Sequence, residues 1–167
     1  MRTITIGEII TDLDKTIPLS WQESYDNAGL LCGNKEEKCT GIYVCFDISE
    51  SVVEKAIANN CNLIVSHHPL VFRAMKRFTS KDNVTTTLLK AITNNIALYS
   101  SHTNLDASNP GVNTILANKL GIRNIRPLCE DTRTNEEGFF GIGGIGELNE
   151  ATELKEYLLH IKKTLFL

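Results

Sequence analysis

The chain has 167 residues, of which 42% are hydrophobic and 22% charged, and its formal net charge is −3. This composition is typical of a globular protein, so it argues against a disordered chain and against a membrane span. The slight acidity, with Lys and Arg scattered along the chain, argues against a nucleic-acid surface. Five cysteines without CxxC spacing indicate reduced thiols and a cytoplasmic location.

The first predicted element is a helix over residues 5–16. Thr5 and Glu8 have the spacing of a capping box, which predicts that the helix begins there. Apolar residues recur at helical spacing, namely Ile6, Ile9, Ile10, Leu13 and Ile17. The polar, glycine-punctuated stretch 21–33 follows, which predicts a loop with a short strand at residues 30–32.

Strands and helices then alternate along the chain. Apolar, β-branched runs predict strands, and amphipathic runs between them predict helices, one of them capped by Ser49. The predicted strands are residues 41–46, 62–66, 96–100 and 138–146. This alternation predicts an α/β fold, a layered sheet with helices on both faces.

Two of these strands end in histidine. Residues 62–66 lead into His67 and His68, and residues 96–100 are followed by His102 and, four positions later, by Asp106. The carboxyl ends of neighbouring parallel strands meet at one edge of a sheet, where ligands bind in open α/β folds. Imidazole and carboxylate together are ligands of Zn, Mn and Fe. The alternative for a lone His-His pair is two hydrogen-bonded loop histidines.

The stretch between the two histidine strands is basic. Arg73, Lys76 and Arg77 lie within residues 71–82, which are predicted to form a loop or lid. These cations form either a solvated surface or a contact to an anionic substrate group.

The last third of the chain is predicted to form helices around a glycine-rich strand. Asn109 and Pro110 have the pattern of an N-cap and first helical residue, and Gly121 has that of the helix end. Thr152 is predicted to cap a final helix. We predict a metal-binding α/β domain over residues 1–128 and the start of a second, incomplete α/β unit over residues 129–167.

Four segments resemble one known family, the NGG-interacting-factor-three-like proteins, which are also labelled GTP cyclohydrolase 1 type 2 homologues. These segments, in chain order, are residues 21–30 (WQESYDNAGL), 66–72 (SHHPLVF), 101–106 (SHTNLD) and 141–148 (GIGGIGEL). The match covers nearly the whole chain, and its signatures occur in the family's order.

The resemblance implies a dinuclear-metal-binding protein that acts as a metal-dependent hydrolase. The alternative is a non-catalytic metal-binding regulatory or interaction protein. His67, His68 and Asp106 are then metal ligands, and His102 is a catalytic proton carrier, a ligand or a residue that orients one. The resemblance also brings the loop with Glu23, Asp26 and Asn27 to the cleft for substrate binding; without it, Asp26 and Asn27 simply start a turn.

The resemblance further implies up to two divalent ions in the full-length family and a homo-oligomer with the shape of a ring-like hexamer. Its substrate is expected to be a small molecule such as a nucleotide. Family members continue into a further third that supplies another histidine and a glutamate, so we expect this chain to be a truncated form with an empty or partly occupied site.

Overall fold

The computed structural model describes residues 3–129, 131, 133 and 137–167. The backbone divides into two compact units, Met1–Asn104 and Leu105–Leu167. The boundary predicted from the sequence, between residues 128 and 129, is a different division and stays a prediction. No helix in the described part of the chain is long and apolar enough to cross a membrane.

The first unit contains a four-stranded sheet with the strand order β1-β4-β3-β2. Its strands are β1 (Gly29–Cys32), β2 (Ile42–Cys45), β3 (Leu63–Ser66) and β4 (Ala97–Ser100). β2, β3 and β4 are parallel, and β1 is antiparallel to β4. The register aligns Cys45, Ser66 and Ser100, so the three parallel strands end at one edge.

Helices cover both faces of this sheet, which confirms the predicted α/β fold. They are α1 (Ile6–Thr16) on one face, and α2 (Glu50–Ala58) and α3 (Asn83–Thr93) on the other. Side chains alternate along β3, so that Leu63 packs with the α1 cluster and Ile64 with the α2 and α3 cluster. Each such fully buried side chain stabilises the fold by about 1.5–3 kcal/mol relative to exposure.

The helix starts of the first unit follow the capping residues. The Thr5 and Glu8 capping box is confirmed, since each side chain accepts a hydrogen bond from the other residue's backbone amide. Ser49 caps α2 as predicted, and Asp82 caps α3. These caps satisfy backbone donors that have no partner inside the helix.

The second unit contains α5 (Val112–Lys119), α6 (Leu154–Leu165) and an antiparallel pair, β5 (Arg123–Pro127) and β6 (Gly144–Glu147). A single-turn helix, α4 (Thr103–Asp106), lies at the junction of the units in the chain.

The predicted glycine-rich strand is wrong in its extent and its sheet. The strand in this region is Gly144–Glu147, and it pairs with β5 rather than with the four-stranded sheet. Gly138, Gly141 and Gly143 have φ values of 81°, 113° and 71°, which are incompatible with a continuous strand from residue 138.

Two predicted helix starts in this unit are also wrong. Gly111, not Asn109, is the N-cap of α5, because the Asn109 amide donates to Gly138 O instead of entering the helix. A Cβ at position 111 would overlap Ser108, which explains the glycine. α6 follows Glu153 without a side-chain cap, since the Thr152 hydroxyl donates to Glu150 O. Gly121 follows α5 with φ of 75°, as predicted for a helix end.

Candidate metal centre

The backbone beyond β3 and β4 delivers three histidines to one edge of the sheet. The ladder continues past the strands, with the His67 amide donating to Cys45 O and the His68 amide to Phe46 O, at 3.3 and 3.1 Å. The Ser66 hydroxyl donates to His68 O at 2.8 Å and fixes the turn that carries both rings. On the neighbouring strand end, the Ser101 amide donates to Ser66 O at 2.9 Å, which positions His102 beside them.

We call His67, His68 and His102 the tri-histidine cluster. The centroids of its rings are 4.9 Å apart for His67 and His68, 5.2 Å for His67 and His102, and 5.4 Å for His68 and His102. One ligand atom from each residue lies within 4.8 Å of the others. Among the described Cys, His, Asp and Glu residues, this is the group whose ligand atoms converge in that way.

Each ring of the cluster is held through Nδ1 by an oxygen acceptor. The partners are Ser101 O for His67 at 3.1 Å, Asp47 Oδ1 for His68 at 2.7 Å and Asp26 Oδ1 for His102 at 2.8 Å. Carbonyl and carboxylate oxygens only accept hydrogen bonds, so Nδ1 carries the proton in all three rings. Nε2 is then the atom through which each neutral ring would bind an ion.

Asp26 is the more buried of the two carboxylate partners. Its side chain is 0% exposed, and that of His102 is 18% exposed. Asp26 also accepts hydrogen bonds from the amide and the hydroxyl of Thr103. Burial raises the pKa of the Asp26 carboxyl, but the hydrogen bonds from His102 and Thr103 outweigh it, so the pKa lies below its ordinary value. Asp26 therefore stays ionised and fixes the tautomer and direction of the His102 ring.

Asp47 holds the His68 ring through Nδ1, as Asp26 holds the His102 ring. Asp47 was not among the site residues predicted from the sequence. Its side chain is 69% exposed, so its ion pair with His68 is more screened than that of Asp26. A signal was present, because Asp47 follows β2 by two residues and β2 is the parallel neighbour of β3. A carboxylate at that place reaches the same sheet edge as the histidines.

These residues fit a divalent metal ion. Imidazole is a common metal ligand, and metal-bound histidines almost always donate their second N–H to a carboxylate or carbonyl. Two nitrogens on a tetrahedral zinc lie about 3.4 Å apart, given Zn–N bonds of about 2.0–2.1 Å, so small ring movements would close the cluster on an ion. The buried Ser101 hydroxyl has no hydrogen-bond partner among the described residues, which is typical of a site that a ligand completes.

The remaining predicted site residues have the following places. His102 lies among the candidate ligands, and its catalytic role stays a prediction. The Glu23 amide donates to the Thr103 hydroxyl, and the Asn27 side chain donates to Val71 O, so both border the loop that holds Asp26. Their contacts to substrate stay predictions. Asp106 is the last residue of α4 and belongs to the second unit, so its role as a ligand also stays a prediction.

The chain is similar in sequence to curated bacterial proteins. It is 32% identical over 162 residues to a GTP cyclohydrolase 1 type 2 homolog of Clostridium acetobutylicum, covering 97% of this chain and 60% of the relative. It is 37% identical over 153 residues to a protein of the same name from Staphylococcus epidermidis, covering 92% of this chain and 40% of the relative. The chain thus spans about half the length of these relatives.

The fold is similar to that of solved structures. A hypothetical protein of Staphylococcus aureus matches with a TM-score of 0.86 at 27% identity, over 99% of this chain and 65% of the other. Reduced HcgD from Methanocaldococcus jannaschii matches with a TM-score of 0.80 at 29% identity, over 98% of this chain and 61% of the other. The family model described as Duf34/NIF3 (NGG1p interacting factor 3) matches residues 4–167, so the chain belongs to the Duf34/NIF3 family.

Proposed function

We propose that the tri-histidine cluster binds a divalent metal ion and that the protein is a metal-dependent hydrolase. The observation that carries the proposal is that all three rings are held through the same atom and that their ligand atoms converge. Each Nδ1 is held by an oxygen, and the ligand atoms converge within 4.8 Å. Because a histidine that only stabilises a loop needs no such convergence, three oriented rings together favour a ligand set.

The donor set suits catalysis as well as binding. Three protein ligands with a remaining open position are typical of catalytic zinc sites, whereas structural sites are closed by four. A bound divalent ion supplies a Lewis acid and lowers the pKa of water toward 7. The chain's own contribution is to orient the three rings through Nδ1, by way of Asp26, Asp47 and the Ser101 carbonyl, so that Nε2 is available for an ion.

The name of the curated relatives supports a nucleotide as the first substrate to test. Both are called GTP cyclohydrolase 1 type 2 homologs, and we extend that substrate class to this protein as part of the proposal. Asp106 is proposed as a further ligand, so that two ions share the site in a full-length relative. One carboxylate can bridge two ions about 3.5–4 Å apart.

Turnover by the metal-loaded chain tests the proposal. Zn²⁺- or Mn²⁺-loaded protein is incubated with GTP and other nucleotides, and product is followed by chromatography. Hydrolysis that His68→Ala abolishes supports the enzyme. His160→Ala is the matched control, since His160 lies on α6 outside the cluster.

The same experiment distinguishes the hydrolase from the second candidate function, a non-catalytic metal-binding protein. Stoichiometric metal binding without turnover of any nucleotide would contradict the hydrolase and favour the non-catalytic metal-binding protein. Full turnover by His68→Ala would contradict the assignment of the site.

A further inference from the structure

Two phenylalanine rings contact different histidines of the tri-histidine cluster. Phe46 stacks on His67 with ring centroids 5.2 Å apart and an interplanar angle of 19°, and it meets His68 edge-on at 4.5 Å. Phe72 meets His102 edge-on at 6.1 Å. We call Phe46 and Phe72 the aromatic pair. Between them, the two rings of the pair contact all three histidines of the cluster.

The aromatic pair is exposed although it borders the most polar part of the first unit. The exposed fraction is 63% for Phe46 and 44% for Phe72. A phenyl ring buries its area favourably when a partner is present, so two open rings beside a ligand-binding cluster indicate a surface for a ligand.

Both rings are held in place rather than carried on unconstrained loops. Phe46 directly follows β2, and its carbonyl accepts the His68 amide. Phe72 follows Val71, whose carbonyl accepts a hydrogen bond of 2.6 Å from the Asn27 side chain. Asn27 in turn neighbours Asp26, which holds His102. The same turn therefore positions a candidate ligand and one ring of the aromatic pair.

We propose that the aromatic pair binds a planar, unsaturated ring, while a donor atom of that ring or its substituent meets the ion at the cluster. This inference rests on the proposed metal site and names the ligand class that the site selects. Aromatic rings prefer offset-stacked or edge-to-face partners, and stacking adds affinity beyond the area buried. A puckered saturated ring lacks that interaction, so the site discriminates by shape and by π character.

Matched ligands test this directly. Benzoate and cyclohexanecarboxylate carry the same carboxylate donor on a planar and on a puckered ring, and the saturated ring is the more hydrophobic of the two. A surface that binds through hydrophobic contact alone prefers cyclohexanecarboxylate, whereas a site that stacks aromatic rings prefers benzoate. We expect benzoate to bind the Zn²⁺-loaded chain about fivefold more tightly or better, measured by NMR titration.

Single substitutions test whether the aromatic pair causes the preference for benzoate. Phe46→Ala and Phe72→Ala are expected to bring the two affinities to within about twofold of each other. Phe78→Ala is the matched control. Phe78 lies in the same loop as Phe72 and is 56% exposed, but it makes no ring contact with the cluster in the described part of the chain. Equal or tighter binding of cyclohexanecarboxylate to the unsubstituted chain would overturn the inference, as would a benzoate preference that survives in Phe46→Ala and Phe72→Ala.

A Zn²⁺ titration of the same samples keeps this inference separate from the proposed function. If the chain binds no zinc, the metal proposal fails, and a benzoate preference of the metal-free chain that depends on the aromatic pair still supports the ligand class. An exposed phenyl ring can also form a contact between protein chains, and light scattering tests this by measuring the oligomeric mass. Val44 is an exposed residue of β2, two positions before Phe46. If Phe46→Ala and Val44→Ala both lower the oligomeric mass without changing the benzoate preference, the surface is a protein contact and the inference is overturned.

Discussion

At the scale of single residues, the buried carboxylate of Asp26 governs the geometry of the candidate site. It is fully enclosed and accepts hydrogen bonds from His102 Nδ1 and from both donors of Thr103. A carboxylate in that position fixes the direction of the imidazole ring and prevents it from turning. Loss of the Asp26 charge should therefore change metal affinity more than it changes the fold.

Replacing Asp26 by Asn is expected to weaken zinc affinity by about 10- to 100-fold, because the amide orients His102 less firmly and removes its negative partner. Competition with a chelating dye measures the change. Asp47→Asn should have a smaller effect, since its contact with His68 is exposed. Asp12→Asn, on the surface of α1, is the control. An affinity of Asp26→Asn within twofold of the parent chain would contradict the role of this residue.

The buried residue Tyr99 also makes a hydrogen bond to a carboxylate. The ring is 0% exposed, and its hydroxyl donates to Asp14 Oδ1 at 2.6 Å. Burial raises the pKa of the Tyr99 phenol, and the hydrogen bond to Asp14 raises it further. The protonated phenol is therefore favoured in the folded state.

Tyr99→Phe should lower the free energy of unfolding by about 1.5 kcal/mol at pH 7, which is the lower end of the range for a hydrogen bond to a charged group. A phenol pKa raised on folding gives stability that is complete below the ordinary value of 10 and is lost as pH rises beyond it. The difference between the two proteins should thus be constant from pH 7 to 9 and shrink above pH 10 in urea denaturation. A constant difference up to pH 11 would contradict a phenol pKa that is raised on folding.

At the scale of elements, the close approach of β1 to β4 depends on a glycine. Gly33 directly follows β1 with φ of 113°, and a Cβ there would lie 2.5 Å from the Ala97 Cβ and 2.6 Å from the Ala97 Cα. Neither contact can be relieved by a flexible side chain. Glycine is thus required by backbone conformation and by space.

Gly33→Ala is expected to lower the free energy of unfolding by about 2–4 kcal/mol, from the strained φ and the overlap with β4. Gly121→Ala is the matched control. It also has a positive φ, of 75°, but nothing lies within 4 Å of its added Cβ, so we expect a loss of only about 1 kcal/mol. Circular dichroism during denaturation measures both. Equal losses would show that space around Gly33 is not limiting.

Elements with strong local signals could be predicted from the sequence. The Thr5 and Glu8 box set the start of α1, and the apolar runs before His67 and His102 set β3 and β4. Elements that depend on contacts distant in sequence could not be predicted. β5 is polar and contains Pro127, and it is extended because β6 pairs with it. α4 has a single turn, which is too short for helical periodicity to reveal.

The candidate site was predictable in part for the same reason. Strand ends marked His67, His68 and His102, and parallel register brought them together. The Ser101 carbonyl that orients His67 carries no sequence signal, because every residue has a carbonyl. The pairing of Asp26 with His102 joins residues 76 positions apart, and only the fold shows that the carboxylate faces the ring.

At the scale of the whole molecule, the candidate centre is built largely within the first unit. The tri-histidine cluster and its three oxygen partners all lie in Met1–Asn104. This chain spans 60% and 40% of the two curated relatives described above, so the complete site of a longer relative is a matter for proposal. Self-association and the second ion stay predictions.

The most direct test of the central claim is an equilibrium zinc titration of the chelator-treated chain and three single variants. The account predicts that the parent chain binds at least one ion, that His67→Ala and His102→Ala bind it at least about tenfold more weakly with unchanged circular dichroism, and that His160→Ala binds it like the parent. Equal zinc affinity in all four proteins, or no binding by the parent chain, would contradict the assignment of the tri-histidine cluster as a metal centre.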